Sequence, residues 1–286
     1  MEENKKSASC GTLYLCATPI GNLEDITYRV LRILKEVDLI AAEDTRNSIK
    51  LLNHFEIKTP MTSYHEYNKI EKAYQLVDKI KEGKNVALIT DAGTPGISDP
   101  GEDLVRICYE EGVPVTSLPG AAACITALTM SGLPTRRFSF EAFLPREKKE
   151  RAVILEELKQ ETRTIILYEA PHHLVKTLEE LLKTLGNRRI TICRELTKKH
   201  EEKMQSTLED ILTYYKETDP RGEYVLVLEG KDQKEIEKEK QASCERMTIE
   251  EHMEYYESQG IDRKEAMKQV AKDRGVSKRD IYQQLL

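Results

Sequence analysis

Leu88-Ile89-Thr90-Asp91-Ala92-Gly93-Thr94-Pro95-Gly96-Ile97-Ser98-Asp99-Pro100-Gly101 is the stretch from which the fold is read. A buried-strand pattern, Val86–Thr90, runs into a loop carrying three glycines, two prolines and two aspartates, and a helical pattern over Glu102–Glu111 follows. Glycine lets backbone approach a ligand closely, and α/β proteins bind ligands at the C-terminal edge of a parallel sheet. An ordinary βα loop stiffened by proline is the bland alternative; the density of small residues favours a site. The loop matches neither G-x-x-x-x-G-K-[ST] nor G-x-G-x-x-G, which removes the main support for a nucleoside triphosphate or dinucleotide.

Outward from this stretch, short apolar runs alternate with helical periodicity, the signature of βα units around a largely parallel sheet. Thr12–Ala17 reads as a first strand, then a helix capped by Asp25 with Ile26, Val30, Ile33, Leu34 and Val37 on its apolar face. Strands Leu39–Ala42 and Val115–Leu118 and a small-residue helix Ala121–Met130 complete an N-terminal α/β domain, 1–134. The pattern breaks at Gly132-Leu133-Pro134-Thr135. A second α/β domain, 135–230, holds strands Phe138–Ala142, Thr164–Tyr168, Ile190–Cys193 and Tyr224–Leu228 and helices over 149–160 and 171–185. A charged linker, 231–246, leads to a helical tail, 247–286.

Composition narrows the function classes. Hydrophobic residues at 39% and charged residues at 33% suit a globular chain with a charged surface; tryptophan is absent, so the cores are aliphatic. Met1–Ser7 lacks an apolar signal core and no run reaches the ~18 apolar residues of a membrane span, so the expectation is a cytoplasmic protein without membrane association. Cys10, Cys16, Cys108, Cys124, Cys193 and Cys244 lie far apart without zinc-ligand spacing, which reads as reduced thiols and no metal site. A net charge of −6 argues against a protein that coats nucleic acid, but local basic clusters stand out: Arg188, Arg189, Arg194, Lys198 and Lys199, and the tail run Arg263–Arg279. Each reads equally as a solvated face.

Two more loops are site candidates. Ala17-Thr18-Pro19-Ile20-Gly21-Asn22-Leu23-Glu24-Asp25 follows the first strand, and Ser117-Leu118-Pro119-Gly120-Ala121-Ala122-Ala123 places small residues at a helix start, where free N–H groups hold anions or where close packing demands them.

These segments, with Ala42–Arg46, Tyr168–His172 and Arg194-Glu195-Leu196-Thr197-Lys198-Lys199-His200-Glu201-Glu202, resemble the small-subunit (16S) ribosomal RNA cytidine 2′-O-methyltransferases of the tetrapyrrole methylase superfamily over about residues 11–230. The resemblance implies a two-domain α/β fold with S-adenosylmethionine in the interdomain cleft, a homodimer, and a cytidine ribose near the decoding region as acceptor. It implies that Asp91, Gly93, Thr94, Ile97 and Ser98 line the cofactor, that Pro119, Gly120, Ala121 and Tyr168, Glu169, Ala170 close over it, and that Thr18, Pro19 and Gly21 flank the transferred methyl. The first loop is less glycine-rich than in porphyrin-modifying relatives, which favours the RNA branch.

In-line attack of a ribose hydroxyl on a sulfonium methyl needs alignment, worth roughly 7–11 kcal/mol in model systems, more than it needs a strong base. Glu43, Asp44, Glu169 and His200 are candidates for the proton acceptor, with none singled out. Arg46 is a candidate phosphate anchor, although Asp44 offers it an ion pair. Lys198, Lys199 and His200, and Lys268, Lys272, Lys278 and Arg279 of the tail, are RNA-binding candidates. The tail reads as helix, glycine turn and a second helix capped by Ser277, around Ala266, Val270, Val276 and Ile281. Methylation of a tetrapyrrole-like small molecule and non-catalytic nucleic-acid binding remain the competing functions.

Overall fold

The structure is a computed structural model and describes residues 10–236, 238 and 247–285. The N-terminal stretch 1–7, most of the linker call 231–246 and Cys244 lie outside the described residues.

β1 (Leu13–Cys16), β2 (Leu39–Ala42), β3 (Met61–Ser63), β4 (Val86–Ile89) and β5 (Val115–Leu118) form a wholly parallel sheet in the order β3-β2-β4-β1-β5. Each strand alternates between faces. Leu13, Val86 and Leu88 pack under α3 (Lys69–Lys81) and α4 (Gly101–Glu110) on one side. Cys16, Ala87 and Ile89 pack under α1 (Tyr28–Glu36) and α2 (Thr45–His54) on the other. Burying one such aliphatic side chain contributes roughly 1.5–3 kcal/mol. With both faces covered, every βα loop at the C-terminal edge is left to face outward.

Thr27, not Asp25, caps α1: its hydroxyl accepts the Val30 N–H at 3.2 Å. Asp25 ends a 3₁₀ turn, Leu23–Asp25, whose own cap is Asn22. The threonine wins because it stands at the N-cap, three residues before Val30, whose amide has no carbonyl partner in the first turn.

The second sheet is built differently from the expectation of largely parallel pairing. β6 (Phe138–Phe143), β7 (Thr164–Glu169), β8 (Arg189–Arg194), β9 (Glu202–Thr207) and β10 (Tyr224–Leu228) take the order β6-β7-β10-β8-β9, and only β6 and β7 run parallel. The loop between β8 and β9 is too short for a helical crossover, so that pair is antiparallel. The fully apolar β10 inserts at the centre, where both faces are buried. α6 (Lys148–Lys159), α7 (Pro171–Leu185) and α8 (Leu208–Glu217) cover one face. α5 (Ala123–Met130), which precedes the break at 132–135, covers the other through Cys124, Ala127 and Leu128 against Ile166, Val225 and Val227.

The tail folds around its own small core of Ile249, Met253, Ala266, Val270, Ala271 and Ile281 in helices Ile249–Ser258, Arg263–Asp273 and Lys278–Gln284. Ser277 caps the last helix as expected, while Val276 stays 43% exposed and is not a core residue, because the turn that follows Gly275 (φ 64°) points it outward. Among the described residues no helix is long and apolar enough to cross a membrane.

Within the tail, buried His252 accepts a hydrogen bond at Nδ1 from Arg274 Nε (3.3 Å), faces Asp273 through Nε2 (3.5 Å) and stacks on Tyr256. Burial first, then the Arg274 charge, holds its pKa below the ordinary histidine value. The unfolded chain therefore binds this proton at a higher pH than the folded tail does. Stability from the neutral ring is complete above about pH 6.5 and is lost as pH falls below it. The melting midpoint of the tail, followed by NMR of the Met253 methyl, is expected to drop between about pH 7 and 5; a flat midpoint contradicts a buried neutral ring.

Candidate active site

A cleft of about 420 Å³ opens where the C-terminal loops of the parallel sheet meet one end of the second sheet. Ile20, Glu43, Thr90, Ala92, Gly93, Thr94, Ile97, Ser98, Asp99, Ala122 and Ala123 form one wall. Phe143, Tyr168, Glu169, Ala170, Pro171, Leu196, Lys198, Glu223, Tyr224 and Val225 form the other.

The glycine-rich loop is held by its own side chains. Asp99 accepts the Gly96 N–H at 2.9 and 3.0 Å and the Gly101 N–H at 2.7 Å. A Cβ on Gly101 would stand 2.7 Å from the Gly96 nitrogen, so glycine is required there. Thr94 Oγ1 donates to the Ala121 carbonyl (2.9 Å), tying the loop after β4 to the loop after β5. Thr18 and Gly93 exchange backbone hydrogen bonds of 2.9 and 3.1 Å, and buried Thr18 Oγ1 donates to Thr90 O at 3.0 Å. Ser98 is held at φ 67°, a strained conformation for a side chain bearing a Cβ.

The second sheet reaches in through a β-bulge. Ala142 at φ 51° shifts the register between Phe140 and Phe143 and turns Phe143 towards Tyr168, with ring centroids 5.6 Å apart. The Tyr168 hydroxyl accepts the Cys124 N–H at 3.1 Å, and burial pushes its pKa well above the usual phenol value, so it remains protonated.

The carboxylates differ in what they have left to offer. Glu169 is buried and already accepts from Ala170 N (2.8 Å) and Thr177 Oγ1 (2.5 Å). Arg151 in turn donates to Thr177 and Glu180. Asp44 caps α2 and binds the Arg46 guanidinium at 2.7 and 3.1 Å, which holds its pKa down at about 2. Neither Asp44 nor Arg46 lines the cleft; Arg46 projects into solvent. Glu43 accepts from Thr90 Oγ1 at 2.6 Å through Oε2, and its Oε1 carries no hydrogen bond among the described residues.

Of the sequence candidates, Glu43, Gly93, Thr94, Ile97, Ser98, Tyr168, Glu169, Ala170 and Lys198 meet in the cleft. Thr18, Pro19, Gly21, Asp91, Pro119, Gly120 and Ala121 do not line it. Asp91 accepts from Asp44 N and Asn47 Nδ2. A Cβ on Gly120 would meet Ala17 Cβ at 2.4 Å. Gly21 packs so closely on Leu196, Thr197 and Lys198 that a Cβ would lie 2.9 Å or less from each. Lys198 is committed to Glu195 (2.8 Å) and Glu223 (2.9 Å), whereas Lys199 and His200 are exposed in the same loop. Lys268, Lys272, Lys278 and Arg279 lie on the last two tail helices, with Lys268 paired to Glu265.

Sequence reading missed Phe143, Leu196 and Glu223–Val225 as site residues; on this wall the Tyr168–His172 and Arg194–Glu202 segments carried a signal. Burial pushes the Cys16 thiol up to about 12 and those of Cys108 and Cys193 to about 11, which excludes them as thiolate nucleophiles at neutral pH. Among the described residues no three metal-ligating side chains converge.

The fold of two helix-covered sheets is similar to that of methyltransferases of known structure. Uroporphyrin-III C-methyltransferase from Thermus thermophilus, solved with S-adenyl homocysteine, superposes with a TM-score of 0.54 at 20% identity, over 77% of this chain and 97% of its own. The chain belongs to the tetrapyrrole (corrin/porphyrin) methylase family, whose model matches residues 12–212. Its sequence is 53% identical to a protein of Halalkalibacterium halodurans named ribosomal RNA small subunit methyltransferase I, over 95% of this chain and 93% of that one. It is 48% identical to the Bacillus subtilis protein of the same name, over 99% and 96%.

Asp99→Ala removes a charged acceptor from two loop amides and is expected to destabilise the protein by about 1.5–3 kcal/mol, with faster amide exchange at Gly96 and Gly101. Wild-type exchange at both amides in the variant contradicts the clasp.

Proposed function

We propose that the chain transfers a methyl group from S-adenosylmethionine to the 2′-hydroxyl of a cytidine ribose in small-subunit ribosomal RNA, near the decoding region, acting as a cytoplasmic homodimer. The observation that carries this reading is the acid-lined cleft between the sheets, in a chain about half identical to proteins named for small-subunit ribosomal RNA methylation.

The residues fit this cofactor. A volume of about 420 Å³ falls within the roughly 300–1,000 Å³ of small-molecule sites. Ile20, Ile97, Phe143 and Leu196 offer apolar surface to a heterocycle, and Gly93 and Ala122 allow close backbone approach. Four carboxylates, Glu43, Asp99, Glu169 and Glu223, face one ammonium, Lys198, a balance that suits the positive charges of a sulfonium and an amino group. When bound, S-adenosylmethionine supplies an electrophilic methyl group. The same acidic lining disfavours a polycarboxylate tetrapyrrole as acceptor.

Within this reading Glu43 Oε1 accepts the proton the ribose hydroxyl loses, because Asp44 and Glu169 are committed elsewhere. Arg46 and the exposed Lys199 and His200 contact phosphates beside the cleft, and Lys268, Lys272, Lys278 and Arg279 extend the grip through the tail. The division into 1–134, 135–230 and a tail from 247 belongs to the same proposal, with α5 shared between the sheets.

Transfer of labelled methyl to small ribosomal subunits from cells lacking this protein tests the reading, with a single labelled cytidine ribose expected. Label on a tetrapyrrole and none on RNA overturns it. Glu43→Gln is expected to lower kcat by roughly 10²-fold or more while cofactor affinity changes far less; undiminished kcat removes Glu43 from the proton path.

A further inference from the structure

Two tyrosines stand almost free in solvent, Tyr28 at 93% and Tyr67 at 97% exposure, well beyond any other large hydrophobic side chain among the described residues. Both lie past the C-terminal ends of parallel strands, Tyr28 opening α1 after β1 and Tyr67 in the loop after β3. In the strand order β3-β2-β4-β1-β5 the strands that lead to them are three steps apart, about 14 Å at ~4.8 Å per step, with the loops of β2 and β4 between, and the helices they adjoin, α1 and α3, lie on opposite faces of the sheet.

The segments that present them are rigid. Thr27 caps α1 directly before Tyr28. Around Tyr67, the Tyr64 hydroxyl donates to Pro100 O at 2.8 Å, His65 N donates to Asn68 Oδ1 at 2.8 Å, and Lys69 pairs with Asp103 at 2.9 Å. The His65 and Tyr67 rings meet edge to face at a centroid distance of 6.1 Å. Exposed Arg29 and Arg46 stand in the neighbouring segments. Rigid, solvent-facing aromatic rings with cations nearby are what unpaired nucleic-acid bases stack on.

We propose that Tyr28 and Tyr67 are stacking platforms for the unpaired bases flanking the target nucleotide, one on each side of the cleft mouth; this subsite rests on the RNA reading above. Ile70 and Tyr74 continue an exposed row from Tyr67 along α3, so a second copy of the chain is the competing occupant of that side. The polar surroundings of Tyr67 favour the RNA.

Because the sequence contains no tryptophan, Tyr67→Trp and Tyr28→Trp each give the protein a single indole reporter. Its fluorescence is expected to be quenched on titration with a transcript of small-subunit ribosomal RNA. Tyr67→Ala and Tyr28→Ala are expected to raise the KM for small subunits by roughly 5- to 140-fold, with kcat, cofactor affinity and melting temperature unchanged and with recovery in the Phe variants. Wild-type KM in both Ala variants of an enzyme that methylates RNA overturns the proposal, as does a change of sedimentation with KM unmoved, which assigns the face to contact between copies. If the unmutated protein transfers no methyl to RNA, the RNA reading fails and this subsite falls with it.

Discussion

The paired hydrogen bonds between Thr18 and Gly93 are the constraint on which the cleft depends. They lock the loop after β1 against the loop after β4, and from that fixed point Ile20 enters the cleft wall while Gly21 meets the β8–β9 loop. Asn22 N then donates to Thr197 Oγ1 at 3.1 Å, so this short segment grips the second sheet alongside the packing of α5. Glu195 and Thr197 adopt φ of 50° and 64° in that loop, strain of order 1–3 kcal/mol each, offset by Lys198 bridging Glu195 and Glu223. With Ser98 and Ala142, four of the five left-handed non-glycine residues described border the cleft.

Groups around the site divide into those committed to holding it and those left with capacity. Asp99, Glu169, Lys198 and the Tyr168 hydroxyl are committed, and they fix the shape into which a ligand fits without reorganisation. Glu43 retains, among the described residues, a carboxylate oxygen without a hydrogen bond. Among the described residues Arg46 is bound to the neighbouring Asp44 carboxylate, a surface pair screened by water, so exchanging Asp44 for a phosphate costs little.

Much of this was legible in the sequence where local chemistry is decisive. Leu39–Ala42, Val115–Leu118 and Tyr224–Leu228 are strands over the residues expected: the first and last are continuous apolar runs, and Val115–Leu118 is a short run held between Pro114 and Pro119. The helix over 171–185 is fixed by Pro171 at its first turn and Gly186 after it. β9 escaped notice because its Glu202–Thr207 sequence is polar and half of its residues are exposed, as on an edge strand; α2, β3, α3 and α8 were likewise not assigned. The antiparallel insertion of β10 is a long-range choice without a local signal. The same distinction holds at the site: glycine and proline density marked the first-sheet wall, whereas Phe143, Leu196 and Glu223 reach the cleft only through a bulge and long-range strand pairing.

A cleft with walls from both sheets implies one ligand held by both. Amide hydrogen exchange of the full chain with and without S-adenosylmethionine tests it most directly. Added protection is expected together at 90–99, 121–123, 168–171 and 195–198; protection confined to one sheet, or none at saturating cofactor, excludes a ligand shared by both sheets.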